Sequence, residues 1–264
     1  MPRKSLPISA FIICKNEVSV LGACLESLDI CDEVVVVDSG STDGTLELIE
    51  SYRARGLPIR LVHQEWLGFA RQKQFALEQC TSAWCLNLDS DERLDDRLKA
   101  QLLDLDLDQP GVAGYAIRRP EYLPGYGYPP AAVHARYHVR VVRKDRARYD
   151  TDLVVHESLI VDGEVRKLPR GRILHFRNLS IQEDCSKMNG YSRLKAFEGH
   201  KRGKTSGLSK IMLKPLAQFL KFYLGQRYFL CGTPGFIYSI MLSSYVFMTE
   251  AKLYRLSRNG MPSE

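Results

Sequence analysis

The chain has 264 residues, 45% hydrophobic and 26% charged, a balance that excludes collagenous, disordered and disulfide-scaffold proteins. Its net charge of +6 is unevenly placed: residues 201–264 carry ten Lys or Arg against two Glu, whereas residues 1–200 carry 27 basic and 29 acidic residues. A weakly acidic body followed by a basic, apolar tail points to a tail that meets anionic phosphates, in lipid or in nucleic acid.

The seven cysteines, at 14, 24, 31, 80, 85, 185 and 231, form no C-x-x-C pair. Cys14, Cys24, Cys31 and Cys85 lie in apolar segments and read as small core residues in a reducing compartment. The first apolar run, residues 8–14, stops at Lys15. It has a strand's length and no cleavage site follows it, so it is not read as a signal peptide.

Four such runs, at 8–14, 34–37, 59–62 and 84–88, begin about 25 residues apart, a spacing that fits βαβ units. Between them Leu21, Leu25 and Leu28, then Leu46, Ile49 and Tyr52, keep helical spacing. The unbroken valines at 34–37 suit a strand covered on both faces. The pattern predicts an α/β protein with a mainly parallel central sheet flanked by helices. Leu94, Leu98, Leu102 and Leu105 then predict one further helix. Residues 111–130, crowded with Pro, Gly and Tyr, predict a long irregular loop. Alternating stretches at 137–142, 153–161 and 172–176, separated by Asp-Gly and Pro-Arg-Gly turns, predict antiparallel strands added to the sheet. From Ile181 the chain reads as helical.

Residues 228–249 hold no charge, but Gly232-Thr233-Pro234-Gly235 interrupts them near the start. About 15 apolar positions remain, fewer than the ~20 a membrane span needs. Lys214, Lys221, Arg227, Lys252 and Arg255 flank the segment. Helices lying in a membrane interface are the favoured reading, ahead of a buried core helix or a span. The tail's aromatics sit in an apolar block instead of alternating with basic residues, which argues against nucleic acid as partner.

In open parallel sheets, ligands bind beyond the carboxyl ends of the strands. The residues there are Lys15-Asn16-Glu17, Asp38-Ser39-Gly40-Ser41-Thr42-Asp43-Gly44, and Asp89-Ser90-Asp91-Glu92. Neither G-x-G-x-x-G after the first strand nor a P-loop occurs, so dinucleotide and P-loop chemistry are set aside. Asp89 and Asp91, two apart in an extended segment, point to one side. Unpaired carboxylates placed together are costly unless a cation joins them, and Mg²⁺ or Mn²⁺ with open positions for a diphosphate suits this group. The plainer alternative is that these acids stabilise the first turn of a helix.

The run from Ile12 to Glu17, Asp32-Glu33 before the valines, the loop from Asp38 to Thr45, and Trp84 through Asp91-Glu92 together resemble family 2 glycosyltransferases in order and spacing. Trp66-Leu67-Gly68-Phe69 with Gln72 and Gln74, then His156-Glu157, His175, Tyr223, Gly232 and Gly235-Phe236, are similar to the lipopolysaccharide core subgroup. Lys73 stands where that subgroup often has arginine, and Arg140-Val141-Val142-Arg143 lacks its usual aromatic residue.

The resemblance implies a GT-A fold, with a transferase domain at 1–180 and a helical membrane-associating extension at 181–264. Within the domain, the nucleotide-sugar half is about 1–110 and the acceptor half about 111–180. It implies a metal-dependent inverting transfer of a hexose, typically glucose, from a nucleotide-diphosphate sugar to a lipid-linked saccharide such as the lipopolysaccharide inner core. The enzyme would be cytoplasmic and peripheral on the inner face of the membrane, against its anionic lipids. Glu17, Asp38, Lys73 and Asp89 would bind the nucleotide sugar; Asp91 and His175 would serve the metal, Mg²⁺ or Mn²⁺. Glu157 would be the general base, with Asp150 and Asp152 as the neighbouring alternatives. Two rivals stand beside this reading. A nucleotidyltransferase would share the nucleotide edge, but no basic Gly-rich loop for a triphosphate follows the first strand. A non-catalytic membrane adaptor with the same fold would not need the intact D-x-D.

Overall fold

The computed structural model describes residues 5–151, 159–175 and 180–259. The chain divides into two compact units: one comprises Met1–Pro120 with Arg136–Phe176, the other Glu121–Ala135 with Arg177–Glu264. Residues 121–135 group with 177–264 in the second unit.

The first unit is built on an eight-stranded sheet of order β3-β2-β1-β4-β7-β6-β10-β5. Strands β1 (Leu6–Cys14), β2 (Cys31–Asp38), β3 (Ile59–His63) and β4 (Trp84–Asn87) are parallel, as the four apolar runs predict. Helices α1 (Leu21–Ser27), α2 (Thr45–Ala54) and α3 (Phe69–Gln79) connect them. Ile8, Ala10, Ile12, Val34 and Val36 pack on one face with Leu21, Leu25 and Ile49. Phe11, Ile13, Val35 and Val37 pack on the other with Ala76 and Leu77 of α3. A strand that must fill two faces cannot alternate, which is why the valine run is unbroken.

Four predicted features differ. Leu94 lies in a short strand, β5 (Glu92–Leu94), and α4 spans only Asp96–Leu103. Asp95 caps that helix by accepting the Leu98 N–H at 2.8 Å, so the leucine stripe begins before the helix does. The Pro- and Gly-rich segment contains β6 (Val112–Arg119), held by β7 (Arg136–Arg143) on one side and β10 (Glu164–His175) on the other. Pairing along both edges overrides the local turn signal. The Pro-Arg-Gly sequence does not end a strand; it lies inside β10 at a register shift between Leu168 and Arg172. A Cβ on Gly171 would come within 2.3 Å of the Leu98 backbone, so the glycine lets α4 close on the sheet. Finally, β10 runs parallel to β6, and β9 (Leu159–Val161) leaves the main sheet to pair with β8 (Ala147–Tyr149). Of the late strands, β7 joins antiparallel as predicted, against β4 and β6, and the end of β10, Ile173 to His175, pairs antiparallel with β5.

The second unit is helical: α5 (Ile181–Lys201), α6 (Leu208–Leu220) and α7 (Gly232–Asn259). Ser180 and Glu183 form a reciprocal capping box that starts α5. Gly232-Thr233-Pro234-Gly235 interrupts the apolar segment near its start, Gly232 at a φ of +57° separating the 3₁₀ turn Tyr228–Cys231 from α7. It forms the first turn of α7, where proline has no N–H to lose, and the helix continues for 28 residues. A Cβ on Gly235 would approach the Tyr228 carbonyl to 2.0 Å, so the motif packs the helix start onto the preceding turn. Leu123 and Val133 complete this unit's core with Phe222, Tyr228 and Cys231.

Candidate active site

Parallel packing places the loops after β1, β2 and β4 on one edge of the sheet. The antiparallel β7 contributes its beginning there, and β10 its end, so Arg140 and His175 arrive at the same edge from far along the chain.

At one end of this edge, Asp38 is 2% exposed and its carboxylate is engaged by its own loop. It accepts the Gly40 N–H at 2.8 Å, the Ser41 N–H at 3.0 Å and the Ser41 hydroxyl. Burial pushes the carboxyl up, but these hydrogen bonds outweigh it and hold Asp38 below the usual range. Its observed work is to shape the turn, in which Gly40 takes a φ of +89°. Asn16 stitches this turn to the first loop: its N–H donates to Ser41 Oγ at 2.9 Å and its side-chain oxygen accepts Thr42 N–H at 2.8 Å. Glu17 is half-buried, and burial, then the nearby charge of Asp91, raises its carboxyl.

The extended D-x-D expected from the sequence is instead a turn, closed by the Glu92 N–H donating to the Asp89 carbonyl at 2.9 Å. Its two aspartates consequently face different cavities. Asp91 lines one of about 220 Å³ with Ser19, Val20 and Cys24. Asp89 lines another of about 460 Å³ with Lys73, Arg119, His138, Arg140 and Tyr149.

Protein cations neutralise Asp89. Lys73 Nζ lies 2.7 Å from one oxygen and Arg140 donates to the other at 3.1 Å. Burial alone would raise Asp89; Arg140 and Lys73 instead carry it far below the ordinary carboxylate range. Arg140 also donates to Glu92 at 2.7 Å and to Asn87 at 2.8 Å, and Arg119 pairs with Glu92 as well. Arg119 and Arg140 were not singled out as site residues in the sequence, and Glu92 only as part of the acidic edge. The available signal was Arg140 set between Val139 and Val141, because a buried guanidinium requires carboxylate partners.

Asp91 is bonded to the buried His175, with Nε2 at 2.9 Å from Oδ2. Register explains the meeting: β10 pairs antiparallel with β5, setting His175 opposite Glu92, one residue from Asp91. Burial raises the Asp91 carboxyl, and the His175 hydrogen bond and charge outweigh it, for a net lowering. Among the described residues no group of three or more His, Cys, Asp or Glu forms a metal cage. Mg²⁺ and Mn²⁺ sites that serve a diphosphate need only one or two protein carboxylates, since water and phosphate oxygens supply the rest. Asp91, 36% exposed at its side chain beside His175, fits such a site; Asp89, with both oxygens held by cations, does not.

Glu157 and Asp152 lie outside the described residues. Leu159, two positions beyond Glu157, lines the larger cavity together with Tyr149, its partner across β8 and β9. The Trp66–Gln74 stretch acts largely as scaffold. Gln72 accepts Leu67 N–H at 3.1 Å and donates to Ser39 at 3.0 Å, while Gln74 accepts Tyr149 N–H at 2.9 Å. It holds Trp66 and Phe69 edge-to-face, ring centroids 4.8 Å apart, both exposed.

A mostly parallel, helix-flanked sheet with its acidic turn at the carboxyl edge is the GT-A architecture. It is similar to the mannosyltransferase PcManGT of Pyrobaculum calidifontis, solved with GDP-Man and Mn²⁺, at a TM-score of 0.57 and 15% identity over 96% of this chain and 90% of that one. It is also similar to residues 1–349 of TarS from S. aureus in complex with UDP, at a TM-score of 0.50, with 14% identity over 98% and 93% of the two chains. The chain belongs to glycosyl transferase family 2, whose profile matches residues 9–194, and it is a glycosyltransferase. It is 45% identical, over 95% of its length and 93% of the relative's, to the lipopolysaccharide core biosynthesis glycosyltransferase LpsC of Rhizobium meliloti (strain 1021). An uncharacterized glycosyltransferase of Rickettsia prowazekii (strain Madrid E) is 30% identical over 95% of this chain and 87% of that one.

Proposed function

We propose that this glycosyltransferase moves a hexose, glucose in the first instance, from a nucleotide-diphosphate sugar to a lipid-linked saccharide of the lipopolysaccharide core, with inversion at the anomeric carbon. The observation that carries the reading is the sorting of the acidic turn: Asp91 stands beside His175, while Lys73 and Arg140 hold Asp89. The acceptor class rests on the likeness to the lipopolysaccharide core enzyme.

In this reading Glu17 and the Asp38 loop receive the nucleoside. Asp91, with His175 orienting it, would hold Mg²⁺ or Mn²⁺, which neutralises charge on the departing diphosphate. Lys73, Arg119 and Arg140 give the larger cavity positive walls that suit the same developing charge, fixed in advance by their carboxylate partners. Glu157 takes the proton from the acceptor hydroxyl as the oxygen attacks the anomeric carbon and the bond to the diphosphate breaks. The enzyme works at the cytoplasmic face of the inner membrane, where its acceptor is anchored.

The test is a release assay across a panel of nucleotide sugars with purified lipid-linked core saccharide, followed by NMR of the product's anomeric linkage. Nucleoside diphosphate release with an inverted linkage, lost on EDTA treatment, is the expected result. Release of pyrophosphate would point to a nucleotidyltransferase, and an unchanged rate in EDTA would remove the metal from the proposal.

A further inference from the structure

The second unit wears its apolar residues on the outside. No residue of α6 is buried. Leu208, Met212, Leu216, Leu220 and Leu224 recur at every fourth position through α6 and the turn after it, and all are exposed, Leu208 to 72%. That spacing draws one continuous stripe along the helix. Helix α7 repeats the pattern: Phe236, Ile237, Ile240 and Phe247 face outward, while Ser239, Ser243 and Thr249 are buried. Those hydroxyls are satisfied by carbonyls one turn back in their own helix, at 2.8 to 2.9 Å, so the polar interior needs no water. The two helices form an antiparallel pair. Ser206 and Lys214 bond to Glu250 near one end, and Phe219 and Tyr223 pack on Phe236 near the other.

We infer that α6 and α7 form a membrane-docking surface that lies in the plane of one leaflet, its apolar stripes facing acyl chains and its lysines facing anionic headgroups. Charge supplies the choice of occupant. Lys210 and Lys221 flank the stripe in a segment whose ten basic residues face two acidic ones. A basic amphipathic helix with a leucine face is suited to an anionic bilayer surface.

Charge also fixes the orientation. By length and composition α7 is apolar enough to cross a membrane, and its uncharged part, residues 232–249, would extend about 27 Å. Its partner α6, however, has only six uncharged residues between Lys214 and Lys221, about 9 Å of depth. End-on insertion of the pair would bury Lys221 and Arg227 or Lys214. Lateral immersion by roughly 5–10 Å buries both stripes and lets the lysine stems reach the headgroups. The inference builds on the proposed membrane-borne acceptor, but the surface is read from α6 and α7 alone.

The test uses the full chain and vesicle flotation with no sugar present, so its outcome is independent of whether the transferase reading holds. Wild type is expected to float with vesicles containing phosphatidylglycerol, weakly with pure phosphatidylcholine, and to be released by high salt. Leu216→Glu/Leu220→Glu should lower binding by about tenfold or more while circular dichroism and Tm stay unchanged, since both sites are exposed. Lys210→Gln/Lys221→Gln should weaken binding several-fold and flatten its salt dependence. Unchanged binding of the glutamate variant would overturn the inference. So would recovery only in detergent after alkaline carbonate washing, the mark of a span. A dimer that the glutamate variant dissociates, without any vesicle binding, would assign the face to a second copy of the chain. Transfer to a deacylated acceptor, retained by the glutamate variant, would separate a docking defect from a catalytic one.

Discussion

In the sheet unit Leu25, Ile49 and Leu86 are fully buried, and the buried polar groups include charges: Glu92, Arg140 and Lys73 locked in ion pairs around Asp89. In the helical unit the leucines of α6 are exposed and the buried polar groups are chiefly hydroxyls bonded within their own helix. Buried charges are expensive and justify themselves by fixing an electrostatic field, which a transferase needs where a diphosphate leaves. Hydroxyls returning to their own backbone carry no field; they let helices pack closely while leucines stay available to an apolar medium. The same residue types therefore carry opposite consequences in the two regions.

The largest effect that would sharpen this contrast is catalytic. Glu157→Gln is expected to lower kcat by about 10²–10⁴-fold with donor affinity nearly unchanged, whereas Asp91→Asn should abolish transfer and weaken donor binding. Single-turnover rates beside donor calorimetry decide it, and a dead Asp152→Asn with an active Glu157→Gln would reassign the base. Next comes the ion-pair cluster. Arg140→Met leaves Glu92 and Asp89 short of a buried partner and should cost about 3–5 kcal/mol in urea unfolding, with Arg140→Lys recovering part. A loss near zero would mean the cluster is not electrostatically demanding.

Leucine truncation compares the units directly. Leu25→Ala, in the packed core, is expected to cost about 2–5 kcal/mol, against less than about 0.5 kcal/mol for the exposed Leu216→Ala. Equal losses would erase the distinction between the two surfaces. The smallest effect concerns pH. Asp38 and Glu33 both have folded-state pKa values below their ordinary ones, since hydrogen bonds to Asp38, and those of Ser9, Thr81 and Arg60 to Glu33, outweigh burial. Their stabilisation is fully present above about pH 4–4.5, the unfolded range, and is lost as pH falls through the lower folded values. Chemical denaturation should show a plateau at neutral pH and a decline below that range, shallower in Asp38→Asn.

Much of the first 110 residues was legible because its signals are local. A valine run filling two faces, an acid-and-glycine turn after a strand, and leucines at helical spacing each state their structure within ten residues. The sequence by itself also determined the family, through motifs whose order and spacing follow that same local grammar, and the apolar, basic character of the tail. Tertiary structure decided the rest. Strand β6 exists because β7 and β10 pair with both its edges, and Gly232 to Gly235 begins a helix because the turn at Tyr228 packs against it. His175 meets Asp91 through the register of β10 on β5, and Arg140 reaches Asp89 through that of β7 on β4. Which carboxylate remains open and which is bound by cations depends on partners 16 to 84 residues away. No local pattern carries that information, because pairing register is set by the collective burial of whole strands rather than by the residues that come to touch.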